Sequence, residues 1–495
     1  MKKITIIIVF TVICVTLSFG QYASDALRYS SIMQGGTSRA NAMSGSFSAI
    51  GGDATTIYFN PASMAIYRST EITVTPGFEF TNSNTKYLGK TNRDFDLGMN
   101  INNISFIGTI DNFNFGIVYN KLNNFNENII IRGNNANNSI TDWFASKAKG
   151  LTPKQLEDGK HDSFSSAAWN TYLIDPVIDY SDNNTSYRSM FNTYGQEQIQ
   201  TISRNGYQGE YCFALSGNID RKLFIGANLG LQVIRFSENK VLQEIDIDDI
   251  ITNFTGLKLK ENLEVTGSGI NLKFGFLYSP IDWLRIGVAV HSPTFFNLKE
   301  NFSYEIEGTT DSTRSEIYFG DGEYRLNSPF RANASAGFII GNIALINIDY
   351  EFLNYSTARL RADDELFTND NNMIQNKFKA AHNVRLGAEI RILPNFCVRL
   401  GSGFYDSPYK ETKNNFVTNY SAGVGLKLNN FFYIDLAYTY FNFGKQKYYL
   451  YDGYGVVSPL AEITKSRNRL TFTIGFKFGS TTNTYNTDNN IEKDK

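Results

Sequence analysis

Residues 35–68, GGTSRANAMSGSFSAIGGDATTIYFNPASMAIYR, decide how the rest of the chain is understood. Gly, Ala, Ser and Thr dominate this stretch, and single large residues are spaced between them. The pairs Gly35-Gly36 and Gly51-Gly52 permit sharp turns with positive φ, and small side chains let the backbone pack closely on its surroundings. The pattern fits neither an amphipathic strand nor a long surface helix. It predicts a compact plug that sits inside something larger.

Three polar residues of this stretch are expected to anchor the plug. Arg39, Asp53 and Arg68 are the charged side chains in an otherwise small and neutral segment. Charges that enter a protein interior need partners, because an unpaired buried charge is costly. We therefore expect these residues to pair with charged groups on a surrounding wall.

The rest of the chain alternates apolar and polar residues with period two, which is the pattern of strands with two different faces. In residues 470–478 and 384–392, for example, every second residue is apolar. The runs extend over about 10–15 residues, longer than the ~5–6 of ordinary globular strands and sufficient for the ~9–11 of a tilted membrane strand. We count fourteen predicted strands: 71–80, 98–110, 113–122, 206–219, 222–236, 263–279, 282–296, 329–341, 342–356, 379–393, 395–406, 417–429, 431–445 and 467–478.

Tight and long connections alternate along these strands, as they do in bacterial outer-membrane barrels, which have an even number of antiparallel strands. The tight turns are predicted at Asp111-Asn112, Asp220-Arg221, 279–281, Gly341-Asn342, Pro394 and Asn429-Asn430. All six fall on one side of a barrel that starts in the periplasm. The sequence therefore predicts an all-β, 14-stranded antiparallel outer-membrane β-barrel, with a small helical or irregular N-terminal hatch that plugs the lumen.

The domain organisation begins with a secretory signal. Lys2 and Lys3 precede the apolar run 4–17, and Ser18-Phe19-Gly20 is a small-x-small cleavage site. We predict a signal peptide over 1–20, a hatch over 21–70, a barrel over 71–478 and a polar tail over 479–495. The barrel includes one long extracellular loop, 123–205. An exported chain without an apolar helix long enough to span the bilayer can still cross a membrane as a closed barrel. With the strand pattern, this predicts the bacterial outer membrane.

The long loop has two helical patterns with aromatic faces. Thr152-Pro153-Lys154-Gln155 is an N-cap signal with proline at the first helical position, and Gly159 is a stop signal. Trp143, Phe144, Phe164 and Trp169 lie on the apolar faces of neighbouring segments. They form either a first capture patch for an apolar ligand or the core of an ordinary lid.

Composition excludes several classes of function. The net charge of −2 gives no basic field for nucleic acid. The three His residues, His161, His291 and His382, are far apart, and neither zinc spacing nor a Gly-x-Ser-x-Gly elbow occurs. An acidic loop, Glu244 to Asp249, is a weak calcium candidate compared with a solvated face. We predict no catalytic residues, metal or cofactor, and we interpret Cys212 and Cys397 as wall residues.

Several motifs together resemble the FadL/TodX-type outer-membrane transporters of hydrophobic compounds. The N-terminal motifs are Asp25-Ala26-Leu27-Arg28, Gly36-Thr37-Ser38-Arg39-Ala40, Ala49-Ile50-Gly51-Gly52-Asp53 and Asn60-Pro61-Ala62. The barrel adds Trp283-Leu284-Arg285-Ile286-Gly287 and Ser292-Pro293-Thr294-Phe295-Phe296. The resemblance extends over almost the whole mature chain, although the loops match no known pattern.

The resemblance implies a mechanism. Extracellular loops capture a hydrophobic ligand, an apolar pocket holds it, and it leaves sideways through a wall gap beside a kinked third strand. On this chain the third strand is 113–122, and Gly116 in it is either a weak point of the wall or an ordinary flexible wall glycine. Asn60, Pro61, Ala62, Gly51, Gly52 and Asp53 match the hatch motif, and Phe47, Ile50 and Phe59 are the expected pocket.

A lateral exit also has a physical reason. An apolar ligand gains ~0.8 kcal/mol for each buried CH₂ group, so release into a water-filled pore would be costly. We expect a monomeric, non-enzymatic, passive transporter of a hydrophobic small molecule, a long-chain fatty acid or an aromatic compound, in contact with outer-membrane lipid. The alternatives are a receptor for haem or a similar hydrophobe and, less favoured, a barrel lipid hydrolase.

Charged residues at inward positions are expected to line the lumen and to pair with the hatch. An arginine among them is also suited to bind a ligand carboxylate, and the sequence does not select which. These positions are Arg285, Arg331, Asp349, Glu351, Arg385, Glu389, Arg391, Arg399 and Asp435.

Overall fold

The computed structural model describes residues 21–33, 35–191, 193–249, 251–252, 254–309, 313–363, 367–411 and 416–478. The predicted signal peptide (1–20) and polar tail (479–495) lie outside the described residues. No described helix is both long enough and apolar enough to span a membrane.

Fourteen antiparallel strands form a closed barrel, which confirms the predicted fold. Each strand pairs with the next along the chain, and β1 pairs with β14 from Thr70↔Phe478 onward, so the wall has no first or last edge. The strands are β1 (Thr70–Tyr87), β2 (Lys90–Ile110), β3 (Phe113–Asn124), β4 (Glu197–Ile219), β5 (Leu223–Ile245), β6 (Gly256–Ile281), β7 (Leu284–His291), β8 (Arg331–Ile340), β9 (Ala344–Asn354), β10 (Ala380–Leu393), β11 (Phe396–Tyr405), β12 (Val417–Lys427), β13 (Phe432–Tyr449) and β14 (Leu460–Phe478).

The periplasmic connections are short, and five of the six predicted turns lie where the sequence places them. The sixth prediction is wrong by a few residues, because β6 continues to Ile281 and the chain turns at Asp282 and Trp283. Asp111 and Gly341 have φ values of 50° and 55°. Asp and Gly tolerate this left-handed backbone, which explains why these turns are legible in the sequence.

The outer surface of the barrel carries an apolar belt. On β1 the outward side chains of Ile72, Val74, Phe78 and Phe80 are 39–44% exposed, and the residues between them face the lumen. Nine residues of β1, 72–80, therefore cross the apolar layer, close to the ~9–11 that a tilted membrane strand needs. Aromatic residues border the belt near the periplasmic turns, as in outer-membrane barrels: they are Phe113, Trp283, Phe431 and Phe478.

The strands continue far beyond the belt on the extracellular side, where additional elements close the barrel. The segment predicted as the loop 123–205 is partly strand, because the chain at Glu127–Asn134 pairs with β4. A hairpin of Phe295–Thr309 and Thr313–Asn327 replaces another predicted loop. The remaining elements are helices α4 (Ile140–Ala148), α5 (Pro153–Glu157), α6 (Ser163–Asn170) and α7 (Thr368–Lys377), the 3-10 turn Tyr355–Thr357, and the short strands Ile174–Pro176, Tyr187–Ser189, Arg359–Arg361, Asp452–Gly453 and Val456–Val457.

The N-terminal segment lies inside the barrel. It comprises helices α1 (Gln21–Ser30), α2 (Ser38–Ala42) and α3 (Thr56–Phe59) and the 3-10 helix Pro61–Ile66. Most described residues of this segment are buried. Its bonds to wall strands on all sides show that it fills the lumen, and we refer to residues 21–69 as the hatch.

Candidate functional site

The motif Asn60-Pro61-Ala62 is a rigid turn seated against the wall. The Asn60 side chain caps the following 3-10 helix by accepting from the Ala62 N–H at 3.1 Å, and its amide donates to the Phe276 carbonyl of β6 at 3.2 Å. Gly226 of β5 allows this close approach, because a Cβ there would lie 2.4 Å from the Pro61 carbonyl carbon. The motif positions the hatch and contributes shape.

Gly51, Gly52 and Asp53 organise the interior of the hatch. Both glycines have φ near 70°, a conformation that L side chains rarely adopt. The Asp53 carboxylate accepts from the Thr37 hydroxyl at 2.6 Å and from the Thr55 N–H at 2.9 Å. Asp53 therefore holds two hatch segments together. Both bonds stay inside the hatch, whereas we expected Asp53 to pair with a charged group on the wall.

Arg39 ties the hatch to the wall, as predicted. It donates to both oxygens of Glu389 on β10, at 2.9 and 3.1 Å. Arg399 shares Glu389 at 2.7 Å and also bonds Asp435 at 2.6 Å. Burial alone would lower the pKa of Arg39, but the Glu389 carboxylate raises it above its ordinary value. This network borders a cavity of about 270 Å³ at the periplasmic mouth.

Strand β3 stops pairing with β2 part of the way along β2. Within the described part of the chain, β2 pairs with β3 only over residues 103–110, although β2 continues to Lys90 beside β1. On its other side β3 keeps its pairing with β4, with a register shift between Lys121 and Asn123. The continuation of β3, Glu127–Asn134, folds inward, since its Ile130 carbonyl accepts from the lumenal Thr85 hydroxyl at 2.6 Å. The ladder between β2 and β3 is therefore open above Asn103.

This wall gap lies partly at membrane height. Residues 97–101 of β2 pair with residues 76–80 of β1, which belong to the apolar belt. Leu97 and Met99 point outward and are 56% and 67% exposed. An open strand edge in hydrocarbon is costly unless it lines a passage or is covered. The open edge of β2 therefore marks the point where the lumen comes closest to the lipid.

Gly116 does not lie at the gap. It pairs with Ile107 on β2 and with Ala214 on β4, so the wall is closed on both sides of it. The prediction of a break in the third strand at Gly116 placed it too far towards the periplasm. The β2–β3 ladder ends next to Lys121 instead. At Lys121 the strand is contacted by the hatch.

Part of the hatch stands directly behind the gap. The Gly35 N–H donates to the Lys121 carbonyl at 2.8 Å, and the Met33 N–H donates to Asn123 Oδ1 at 2.9 Å. The Asn123 amide in turn bonds the Ser31 carbonyl. Residues 31–33 and Gly35 thus lie against the lumenal side of the gap.

Two small cavities flank this segment inside the lumen. The larger, about 20 Å³, is lined by Ile32, Tyr58, Phe59 and Arg385 among others, and the second is about 10 Å³. Each has room for about one water molecule. The lumen is therefore closed to a hydrophobic ligand while the hatch is in this position.

Of the three expected pocket residues, Phe59 lines the larger of these two cavities. The guanidinium of Arg385 lies 4.0 Å from the centre of its ring. Phe47 and Ile50 pack with Met43 against the wall in a small buried cluster. They stabilise the hatch in this position.

The four loop aromatics lie in the core of an extracellular cap. Phe144 and Trp169 are buried, whereas Trp143 and Phe164 are partly exposed. The ring of Phe164 stacks on Tyr304 with 4.0 Å between ring centres. The arrangement is that of a lid packed on itself, with Trp143 and Phe164 as its accessible aromatic surface. Helix α5 has the predicted capping box of Thr152 and Gln155.

Glu244 anchors the cap instead of facing solvent. It lies far beyond Leu231, the last exposed apolar residue of β5, and therefore outside the membrane. Its carboxylate accepts from the Ile140 N–H at 3.0 Å and from the Gln198 amide at 2.6 Å. Burial raises the pKa of Glu244 to about 7. Sequence analysis missed this role because the partners are distant along the chain.

Other chemistry has little support among the described residues. They contain no group of three or more His, Cys, Asp and Glu side chains that could hold a metal ion. His291 bonds the Phe59 carbonyl at 3.0 Å, and His382 bonds Tyr350 at 2.7 Å. Cys212 and Cys397 are both free thiols in the wall.

These features define the class of the protein: a closed barrel of the bacterial outer-membrane type, plugged by its own N-terminal hatch. Within that class the fold is that of the FadL/TodX-type proteins, which confirms the resemblance in the sequence. A Pseudomonas aeruginosa FadL homologue superposes with a TM-score of 0.59 at 11% identity, over 90% of this chain and 99% of that chain.

Two further structures agree. The Pseudomonas putida toluene transporter TodX matches with a TM-score of 0.52 at 11% identity, over 90% of this chain and 99% of that one. The monoaromatic hydrocarbon channel CymD gives 0.50 at 12% identity, over 90% and 98%. No family model matches the sequence, and no curated protein matches it either. Among the comparisons, the similarity is therefore one of fold.

Proposed function

We propose that this protein is a passive outer-membrane transporter that takes up hydrophobic small molecules and releases them sideways into the membrane. The observation that carries the proposal is the opening of the β2–β3 ladder at membrane height, with hatch residues 31–33 and Gly35 behind it. The names of the superposed structures, a toluene transporter and a monoaromatic hydrocarbon channel, support the same class of cargo.

The route follows from the geometry. A ligand that enters past the cap reaches the lumen near Ile32 and Phe59, where the existing cavities are too small for it. Binding there favours a hatch conformation with more space, and a ligand shifts that equilibrium by its differential affinity for the two states. Displacement of residues 31–33 and Gly35 then opens the gap, and the ligand passes from one apolar environment to another.

Nothing in this route requires an enzyme or an energy source. The gradient of the ligand and its partition into lipid are sufficient, because burial of each CH₂ contributes ~0.8 kcal/mol. We include in the proposal that the protein works as a monomer in contact with outer-membrane lipid. Fatty acids and aromatic compounds are both compatible with it.

The test is to lock the gap shut. A Cβ on Gly98 of β2 would lie 3.3 Å from the side-chain amide nitrogen of Asn126, across the gap. The double variant Gly98→Cys with Asn126→Cys, in a Cys397→Ser background, therefore places one thiol on each side of the gap, and a non-reducing gel verifies that oxidation has joined them before uptake is measured. We expect oxidised cells to lose most uptake of radiolabelled toluene and oleate, and dithiothreitol to restore it.

The two single-cysteine variants are the matched controls and should transport normally in either redox state. Uptake that is unchanged after the disulfide has formed would rule out the lateral route. Uptake that is equal in cells with and without the gene, for every hydrophobic compound tried, would overturn the transport function itself.

A further inference from the structure

A β-bulge in β2 lies where the ladder between β2 and β3 ends. Thr75 of β1 pairs with Asn103 of β2, whereas the next residue, Pro76, pairs with Ile101, so Asn102 is an extra residue in β2. Pro76 has no N–H to donate to the ladder, which is a local reason for the bulge. Because of the bulge, Asn102 and Asn103 both point into the lumen, and both side chains are 0% exposed.

A second bulge, in β3, gives the hatch an apolar contact. The pairing of β3 with β4 shifts between Lys121 and Asn123, so Leu122 is the extra residue. Leu122 is buried in a small apolar cluster, and Ile32 of the hatch packs against that cluster. We refer to residues 31–33 and Gly35 as the gap segment. The bulge in β3 therefore stabilises the gap segment in its closed position.

The bulge in β2 brings a polar side chain against the same segment without a hydrogen bond. A Cβ on Gly35 would lie 2.8 Å from Asn102 Oδ1. Neither Oδ1 nor Nδ2 of Asn102 has a hydrogen-bond partner among the described residues. The Gly35 N–H is not available to Oδ1, because it donates to the Lys121 carbonyl at 2.8 Å. A buried polar group without a partner is destabilising, since it has lost its hydration and gained nothing.

Two neighbouring donors are in the same condition. The side-chain nitrogens of Lys121 and Asn120 are buried and have no hydrogen-bond partner among the described residues. The carboxylate of Glu79 is bonded by Arg469 at 3.1 Å and by the Asn124 amide at 2.9 Å instead. Neither of the two lumenal cavities is lined by Asn120 or Lys121, so the water that each cavity has room for does not reach these donors.

The closed position of the gap segment is therefore a balance of opposing contacts. Leu122 and the hydrogen bonds to β3 favour it, whereas the unpaired groups on Asn102 and Lys121 oppose it. When the segment moves away, these groups come into contact with water in the lumen and regain hydrogen bonds. A ligand shifts such an equilibrium only by its differential affinity for the two states. A closed state that is only marginally stable can yield to a ligand, and a fully bonded one resists it.

We propose that Asn102 is a positioning residue of the transport route: with Lys121, it keeps the closed position of the gap segment weak enough for a ligand to displace. This inference rests on the proposed transport function and assigns the ease of opening to particular side chains of the wall. It predicts an unusual sign, because removal of these buried side-chain groups stabilises the closed gap.

The experiment is hydrogen–deuterium exchange of the full protein in lipid nanodiscs, measured on the peptide that contains Met33 and Gly35. Both amides are bonded to β3, to Asn123 Oδ1 at 2.9 Å and to the Lys121 carbonyl at 2.8 Å, so they exchange when the segment leaves the wall. Asn102→Ala removes two unpaired atoms, and Lys121→Met removes one while it keeps an apolar stem. We expect each variant to slow exchange about tenfold.

Asn103→Ala is the matched control, because Asn103 is equally buried and its side chain is bonded. It accepts from the Thr73 hydroxyl and donates to Asn120 Oδ1, both at 2.8 Å. This control should speed exchange, as the loss of an ordinary structural residue does. Faster or unchanged exchange in Asn102→Ala, or its failure to fold, would show that Asn102 stabilises the closed gap and would overturn the inference. Faster exchange in Lys121→Met would contradict the part assigned to Lys121.

Uptake of radiolabelled toluene by cells that express the same variants separates this inference from the proposed function. We expect uptake to slow in Asn102→Ala together with exchange. Slower exchange with unchanged uptake would support the role of Asn102 at the gap segment and contradict the lateral route. Faster exchange accompanied by faster uptake would support the lateral route and overturn the role of Asn102.

Discussion

At the scale of single residues, the hatch is fixed by close backbone contacts rather than by large side chains. Gly226 and the backbone of Pro61 and Ala62 approach so closely that even a methyl group would clash. Close-packed interiors resist such additions, because neither partner can move without disturbing its neighbours. This explains why the hatch motif consists of small residues, and why its counterpart in the wall is glycine.

We predict that Gly226→Ala destabilises the protein by about 1–3 kcal/mol, the usual cost of overpacking. The new Cβ would lie 2.5 Å from the Ala62 nitrogen, which is backbone and cannot rotate away. The matched control is Gly116→Ala, whose Cβ would meet the Met64 sulfur at 2.8 Å. Because methionine is flexible, this control should cost less. Urea unfolding in lipid vesicles measures both, and equal losses would contradict the explanation.

We also predict that the extracellular cap docks less firmly as the pH rises. The pKa of Glu244 is about 7 in the docked cap, against 4.5 ordinarily, because burial disfavours its charge. The docked state therefore binds the proton more tightly, and its advantage is complete below about pH 4.5 and is lost between there and pH 7. A difference of 2.5 units corresponds to roughly 3 kcal/mol.

Tryptophan fluorescence of Trp143 and Trp169 between pH 4 and 8 would report this undocking. Glu244→Gln keeps an acceptor for the Ile140 N–H and should remove most of the pH dependence. Burial also raises the pKa of Asp142 at the same helix start, which adds a smaller effect of the same sign. An equal pH response in the wild type and the variant would show that Glu244 is not the responsible group.

At the scale of elements, the hatch is secured at two places of different character. Near the periplasm Arg39 forms a two-pronged bond with Glu389 on β10. Behind the wall gap, Ser31, Met33 and Gly35 are held mainly by single bonds to β3, such as Gly35 to Lys121. Bidentate bonds between charged groups are the stronger kind. We therefore expect the segment at the gap to move more easily than the periplasmic half of the hatch.

Glu389→Gln should loosen the periplasmic half. Removing one partner of a buried ion pair typically costs about 3–5 kcal/mol, because the remaining charges stay buried. Both Arg39 and Arg399 would lose their shared carboxylate. We expect frequent ion-conducting openings in planar bilayers, whereas wild type stays closed. Lys427→Gln at the same mouth is the control, and a variant as quiet as the wild type would mean that the ion pair does not hold the hatch.

Elements were predictable from sequence where the signal is local. The alternation and turn residues such as Asp111 and Gly341 give the strand count, and the Thr152–Gln155 pattern gives α5. The position of the wall gap was not predictable from Gly116. It depends on contact between Lys121 and Gly35, which are distant along the chain. A usable signal existed in the crowding of asparagines around the gap: Asn100, Asn102, Asn103, Asn120, Asn123 and Asn124.

At the scale of the whole molecule, the wall of the barrel provides stability and the hatch provides a closure, although both belong to one chain. The pairing of β14 with β1 closes the wall, so stability does not depend on the hatch alone. Between the described residues of β2 and β3 the ladder stops at Asn103, and the hatch lies behind that opening. If only the hatch moves, transport requires no change in the barrel wall. This agrees with the proposal that ligand binding alone drives the opening.

The last prediction concerns energy. If the hatch yields to ligand alone, liposomes that contain only this protein should take up oleate without nucleotide, ion gradient or partner protein. Net uptake should stop when the activity of oleate is equal inside and outside, because a passive route can speed equilibration and cannot shift it. The time course of fluorescence from a fatty-acid-binding dye trapped in the liposomes measures this. Liposomes with the oxidised Gly98→Cys, Asn126→Cys variant provide the control for spontaneous flip of the acid through lipid. Accumulation beyond equilibrium, or a rate no faster than in that control, would contradict a ligand-driven hatch.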